Sequence, residues 1–221
     1  MDIIHLSPSL IGHYFLYVIG YARLFIYMLY AERKVDELYG CKHFDKDTPS
    51  YRVSHWGSVE NQEDNFRRVA DIISECGDVN SILDVGCGMG TIKQFLPKIK
   101  DYTGIDSEQS VVSLADSKDI SFADIANYEP NRKFDAVVCC GSFNMGVEMR
   151  DVLTYLKRME SLSSIITILT ISYLEVNPLR ESDLLKLAGY IQTTTMRLHG
   201  DDYVFYKLST GATGKIFASP I

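Results

Sequence analysis

The chain has 221 residues, 46% of them hydrophobic and 23% charged, which is enough to bury one full core. Its net charge of −7 argues against nucleic acid, whose binding rests on Lys and Arg neutralising phosphates; a small-molecule partner is expected instead. The cysteines, Cys41, Cys76, Cys87, Cys139 and Cys140, are odd in number and form no C-x-x-C pair. A disulfide framework and a metal site are therefore disfavoured, and a reducing cytoplasm is the expected compartment.

From Ile3 to Ala22 there is no Lys, Arg, Asp or Glu, and Tyr14, Phe15, Tyr17 and Tyr21 crowd the segment. Its length would allow a bilayer span, but Pro8, Gly12, His13 and Gly20 interrupt it, and Asp2 with no base precedes it, unlike a secretory signal. Residues 1–28 read as a separate hydrophobic, aromatic extension with three open roles. It is a helix packed on the domain or on a dimer partner, a membrane-interfacial helix flanked by Arg23, Arg33 and Lys34, or a non-native addition ahead of Met28.

Residues 29–80 read as a helical lid region. His55 to Gln62 lead into a predicted helix with apolar residues at Phe66, Val69, Ala70, Ile72 and Ile73, closed by Gly77. Trp56 is either a roof over a ligand or a plain core aromatic.

Ser81-Ile82-Leu83-Asp84-Val85 is a short apolar run that passes into Gly86-Cys87-Gly88-Met89-Gly90, the pattern of a buried strand ending in a nucleotide-binding turn. Thr91 to Leu96 then continue with helix-compatible residues up to Pro97, so the glycines are expected at a helix N-terminus. A dinucleotide fingerprint needs a third small residue where Thr91 stands, and the one Gly-Lys pair, Gly214-Lys215, is followed by Ile216 rather than Ser or Thr. Both of those Gly-rich alternatives weaken.

Asp101 to Asp106 is a second short strand, ending in an acid about twenty residues past the first glycine, the offset of a ribose-binding carboxylate. Ile120 to Asp124 is a third, and Asp124 is either a ligand contact or a helix N-cap. Phe134 to Cys140 is almost wholly apolar, as a strand covered on both faces should be, and it runs into Gly141-Ser142-Phe143-Asn144. A helix is expected from Val147 to Ser161, with Asn144 as a candidate cap or functional residue. Ser164 to Ile171 reads as a fifth strand and Glu181 to Ala188 as a short helix. Tyr190 to Met196 and Tyr203 to Leu208 read as an antiparallel pair. Residues 209–221 are a tail.

The Asp-x-Gly-x-Gly-x-Gly turn resembles the first motif of class I S-adenosylmethionine-dependent methyltransferases. Trp56-Gly57-Ser58-x-Glu60-x-Gln62, Tyr102-Thr103-Gly104-Ile105-Asp106, Ser142-Phe143-Asn144 and Leu198 to Tyr203 narrow the resemblance. They look like a little-characterised group of bacterial and phage methyltransferase-domain proteins, over roughly Leu29 to Leu208.

The resemblance implies a Rossmann-like α/β fold over residues 81–208: seven mostly parallel strands in the order 3-2-1-4-5-7-6, helices on both faces and a C-terminal antiparallel hairpin. It implies S-adenosylmethionine as cofactor, held by Trp56, Asp84, Gly86, Cys87, Gly88, Gly90, Asp106, Ser107, Asp124, Ile125, Gly141 and Ser142. His199 is the catalytic candidate by family position, with Tyr173 and His55 behind it, and Asn144, which could bond either cofactor or acceptor, is the other catalytic candidate. Base-amine methyltransferases usually carry Asp/Asn-Pro-Pro-aromatic at the fourth strand end; no proline stands here. An oxidoreductase is disfavoured by Thr91, and a non-catalytic nucleotide-binding or membrane-associated scaffold is the other alternative.

Overall fold

The computed structural model describes residues 44–54, 56–142, 149–172, 189–195 and 202–209. The expectations for residues 1–28, His55, Asn144, Tyr173, His199, the helix over 181–188 and the tail beyond Ser209 lie outside the described residues.

Helix α1, Ser50–Val53, is a single turn, and α2, Val59–Glu75, follows it. Ser58 sets the start of α2, its side chain accepting the N–H of Asn61, and Gly77 past the end takes φ 87°, which L side chains avoid. The strands are β1 Ser81–Val85, β2 Asp101–Asp106, β3 Ile120–Phe122, β4 Phe134–Cys140, β5 Ser163–Ser172, β6 Ile191–Thr195 and β7 Asp202–Leu208. Between them lie α3, Gln109–Val112, and α4, Met149–Leu162.

These form one seven-stranded sheet in the order β3-β2-β1-β4-β5-β7-β6, as the resemblance implied. Strands β1 to β5 are parallel, and β7 runs antiparallel to both β5 and β6.

Alternation along the strands builds two cores, one on each face. Ile82, Ala136, Val138, Ile166, Ile168 and Tyr206 meet Phe66, Val69, Ile72 and Ile73 of α2. Leu83, Val85, Val137, Cys139, Leu169 and Phe205 meet Val152, Leu156, Met159 and Leu162 of α4. In α4 these four fall on one helical stripe, which is why a charged helix settles on the sheet. The amino end of the sheet is clasped by Asp135: its carboxylate accepts the N–H of Asn80 at 2.9 Å, that of Ser81 at 3.0 Å and the Ser164 hydroxyl at 3.3 Å.

One expected element is smaller than its sequence suggested. Thr91–Phe95 is a 3-10 helix rather than an α-helix. Pro97 disfavours helical geometry at Leu96 and has no N–H to extend the ladder, so the segment stops after little more than one turn. The glycine turn therefore does not open onto a long helix dipole. Among the described residues no helix is long and apolar enough to cross a membrane.

Candidate active site

The switch in strand order falls at β1, whose neighbours are β2 and β4. The crevice beyond its carboxyl end is where a ligand is received in such sheets. The turn after β1 is fastened to β2 by its backbone: Gly86 N–H donates to Ile105 O at 2.8 Å, and Cys87 N–H to the same oxygen at 3.0 Å. Gly86 and Gly88 then take φ 67° and 56°. A Cβ on Gly86 would overlap the Ser142 hydroxyl, and one on Gly88 would overlap that of Ser54. Only glycine can thus take this turn with the two serine hydroxyls packed against it.

Asp106 closes β2 on the same side. Its Oδ2 accepts the N–H of Gly88 at 2.8 Å and its Oδ1 that of Glu108 at 2.9 Å. A carboxylate offers about four lone-pair positions, so two are left for outside donors. Ser107, next along, is exposed. Gly141, at φ 79°, and Ser142 close β4, and the Ser142 hydroxyl donates to Gly86 O at 3.2 Å across the crevice.

Asp84 lies underneath. It is 2% exposed and accepts the Tyr102 hydroxyl at 2.6 Å. Burial pushes its carboxyl up to about 7; the Tyr102 hydrogen bond works against that rise, and the charge of Asp106 adds to it. Cys87 is buried, with its thiol against the face of Gly104, and burial pushes that thiol well above the ordinary range, so it is no nucleophile.

The structure thus brings Asp84, Gly86, Cys87, Gly88, Gly90, Asp106, Gly141 and Ser142 together at the carboxyl ends of β1, β2 and β4. Three other expected residues stand differently. Trp56 is 6% exposed, with its ring edge-on to Phe66 at 5.8 Å, so its side chain serves the core. Asp124 lies two residues past β3 and is exposed; its Oδ1 accepts the N–H of Ala126 at 2.8 Å, the N-cap role that competes with ligand contact. Ile125 turns its side chain into the core with α4, leaving only its backbone toward the ligand side.

Sequence reading passed over two residues. Tyr102 is set beneath the turn by parallel pairing of Ile82 with Tyr102 and Asp84 with Gly104; an acid inside an apolar strand was the signal that a partner had to exist. Ser54 carries no sequence signal. Among the described residues no group of His, Cys, Asp or Glu is placed to hold a metal ion.

The strand order, the glycine turn closing β1 and the acid closing β2 are those of the class I S-adenosylmethionine-dependent methyltransferase fold. Residues 82–163 match the family described as a methyltransferase domain. No curated protein matches the chain in sequence. Among solved structures it resembles the N-methyltransferase NodS from Bradyrhizobium japonicum WM9 with S-adenosyl-l-homocysteine: TM-score 0.57, 17% identity, 75% of this chain and 95% of that one covered. Magnesium protoporphyrin IX methyltransferase from Synechocystis PCC 6803, with S-adenosylmethionine, gives TM-score 0.54 at 16% identity, covering 95% and 100%. An amino pentose methyltransferase from Micromonospora echinaspora gives 0.57 at 15%, covering 74% and 99%.

Proposed function

We propose that this protein binds S-adenosylmethionine at the turn after β1 and transfers its methyl group to a small-molecule acceptor. The observation that carries the reading is the cradle formed by Gly86, Gly88 and Asp106, where a positive-φ turn at the end of β1 lies beside a carboxylate with acceptor capacity to spare. Asp106 receives the ribose hydroxyls, and the backbone of Gly86 and Gly88 admits the methionyl part. Gly141 and Ser142 bound the crevice from β4, and Asp124 with the backbone of Ile125 flanks the adenine side. Bound there, the cofactor supplies a methyl group already activated on a sulfonium. The chain's own work is then to hold the acceptor in line and exclude water. Asn144 and His199 are the residues proposed to face the acceptor.

The acidic total and the small acceptors named for two of the similar structures, a protoporphyrin and an amino pentose, support a small molecule over nucleic acid. Calorimetry with S-adenosylhomocysteine tests the binding, followed by labelled methyl transfer into fractionated metabolite pools. Heat with neither the cofactor nor its demethylated product would overturn the reading; binding with no labelled acceptor in any pool would turn it toward a scaffold.

Residues 1–28 form a separable extension that serves packing, pairing or a membrane surface, and they lie upstream of every residue of the cradle. Deleting them should leave S-adenosylhomocysteine affinity near that of the whole chain while changing oligomer state or vesicle association. Loss of affinity in a folded deletion variant would make the segment part of the cofactor site.

A further inference from the structure

Of the three glycines in the turn, Gly90 is packed from below: a Cβ there would meet Ile120 Cδ1 at 2.6 Å and the Tyr102 hydroxyl at 3.2 Å. The other two face hydroxyl groups. Gly86 is met by Ser142 from β4, and Gly88 by Ser54, which comes from the far-upstream segment just after α1. A ligand lying on the Gly88 backbone therefore lies against the Ser54 side chain. Asp106 accepts the Gly88 N–H; with the ribose on that carboxylate, as proposed above, the groups left to meet the two serines would be the ammonium and carboxylate of the methionyl end.

Ser54 is held in place from behind. The Ser50 hydroxyl, on α1, donates to Gln62 Oε1 at 3.1 Å, and Trp56 N–H donates to Tyr51 O at 2.6 Å while its ring is locked against Phe66. Gln62 is 1% exposed, and its Nε2 has no partner among the described residues. An unmet buried donor is destabilising. A leucine would fill that core position without the cost and would lose the grip on Ser50. The Trp56-to-Gln62 stretch, which the cradle itself does not use, thus anchors the turn that carries Ser54.

We propose that Ser54 is a cofactor-binding residue that donates to the methionyl carboxylate, and that Gln62 is a positioning residue acting through Ser50. This rests on the S-adenosylmethionine reading of the cradle. The test is calorimetry on the full chain with two probes, S-adenosylhomocysteine and 5′-methylthioadenosine, which lacks the amino-acid end. Ser54→Ala should weaken S-adenosylhomocysteine about tenfold, the loss of one bond to a charged group, and leave methylthioadenosine within about twofold. Ser50→Ala, at a half-buried position, should show the same selective pattern more weakly. Equal weakening of both probes, or none, would overturn the Ser54 assignment, because a merely structural residue cannot tell the probes apart. Asp106→Ala separates the two readings: it should weaken both probes. Failure of the unaltered chain to bind either probe would overturn the cradle reading and this one together.

Discussion

The Tyr102 hydroxyl donates to Asp84 at 2.6 Å directly under the glycine turn, joining β2 to β1 through a pair of side chains with almost no access to water. The bond is short because a carboxyl shut away from solvent has few other donors to turn to. Burial nevertheless dominates, and the Asp84 carboxyl is pushed up to about 7.

That placement sets a pH dependence. Asp84 is raised in the folded chain above its ordinary value near 3.8, so the unfolded chain ionises first. Its contribution is fully favourable below about pH 4 and is lost as the pH rises through about 7. Asp84→Asn keeps an acceptor for Tyr102 and removes the titration. Its melting temperature relative to the unaltered chain should therefore climb between pH 4.5 and pH 8, by the equivalent of on the order of 4 kcal/mol at most. A difference that stays flat across that range would show that Asp84 ionises freely where it stands.

Gly88→Val places a branched side chain at φ 56°, where it would overlap the Ser54 hydroxyl and fill the approach to the backbone. Binding of S-adenosylhomocysteine should be abolished, with a loss of stability of about 1–3 kcal/mol from the forced backbone. Calorimetry and thermal melts on the same preparation check both halves, and retained affinity would move the cofactor off the turn.

Asp106→Ala should cost the cofactor about 1.5–3 kcal/mol of binding, as for hydrogen bonds to a charged group. Part of that comes through the turn, because Asp106 Oδ2 also holds the Gly88 N–H. Asp106→Asn separates the contributions: it keeps an acceptor and should lose less than Asp106→Ala. Equal affinity in all three forms would make Asp106 a loop acid only.

Much of the sheet was legible in the sequence because its strands are buried on both faces. Phe134 to Cys140 has one polar residue in an apolar run, and no helix stripe has that pattern. The cradle was legible because three glycines at alternate positions have no packing use that alanine would not serve better. What escaped was set by tertiary context. The shortening of Thr91–Phe95 follows from the weight of Pro97 in a stretch that otherwise suits a helix. Trp56 lies on the core side of its segment while Ser54, two residues earlier, faces the turn; no local pattern separates these two roles. The Asp84–Tyr102 bond depends on strand register, which spacing alone does not give.

Asp135 gives the opposite sign of pH response at the other end of the sheet. Burial works against its charge, but the N–H groups of Asn80 and Ser81 and the hydroxyls of Ser81 and Ser164 outweigh it and hold the carboxyl below the usual range. Its contribution is therefore present above about pH 4 and is lost as the pH falls through the lowered folded value. Both backbone N–H groups share Oδ2, which an amide oxygen can replace, but Asp135→Asn removes the charge and turns an NH2 toward the Ser164 hydroxyl, so it should destabilise the chain by about 1–3 kcal/mol at pH 7. The deficit should shrink as the pH is taken below about 4, down through the lowered folded value at which the native carboxyl takes up its proton. Chemical denaturation at pH 7 and across that lower range measures this directly, and a deficit equal at both would mean that the clasp works through shape and not through charge.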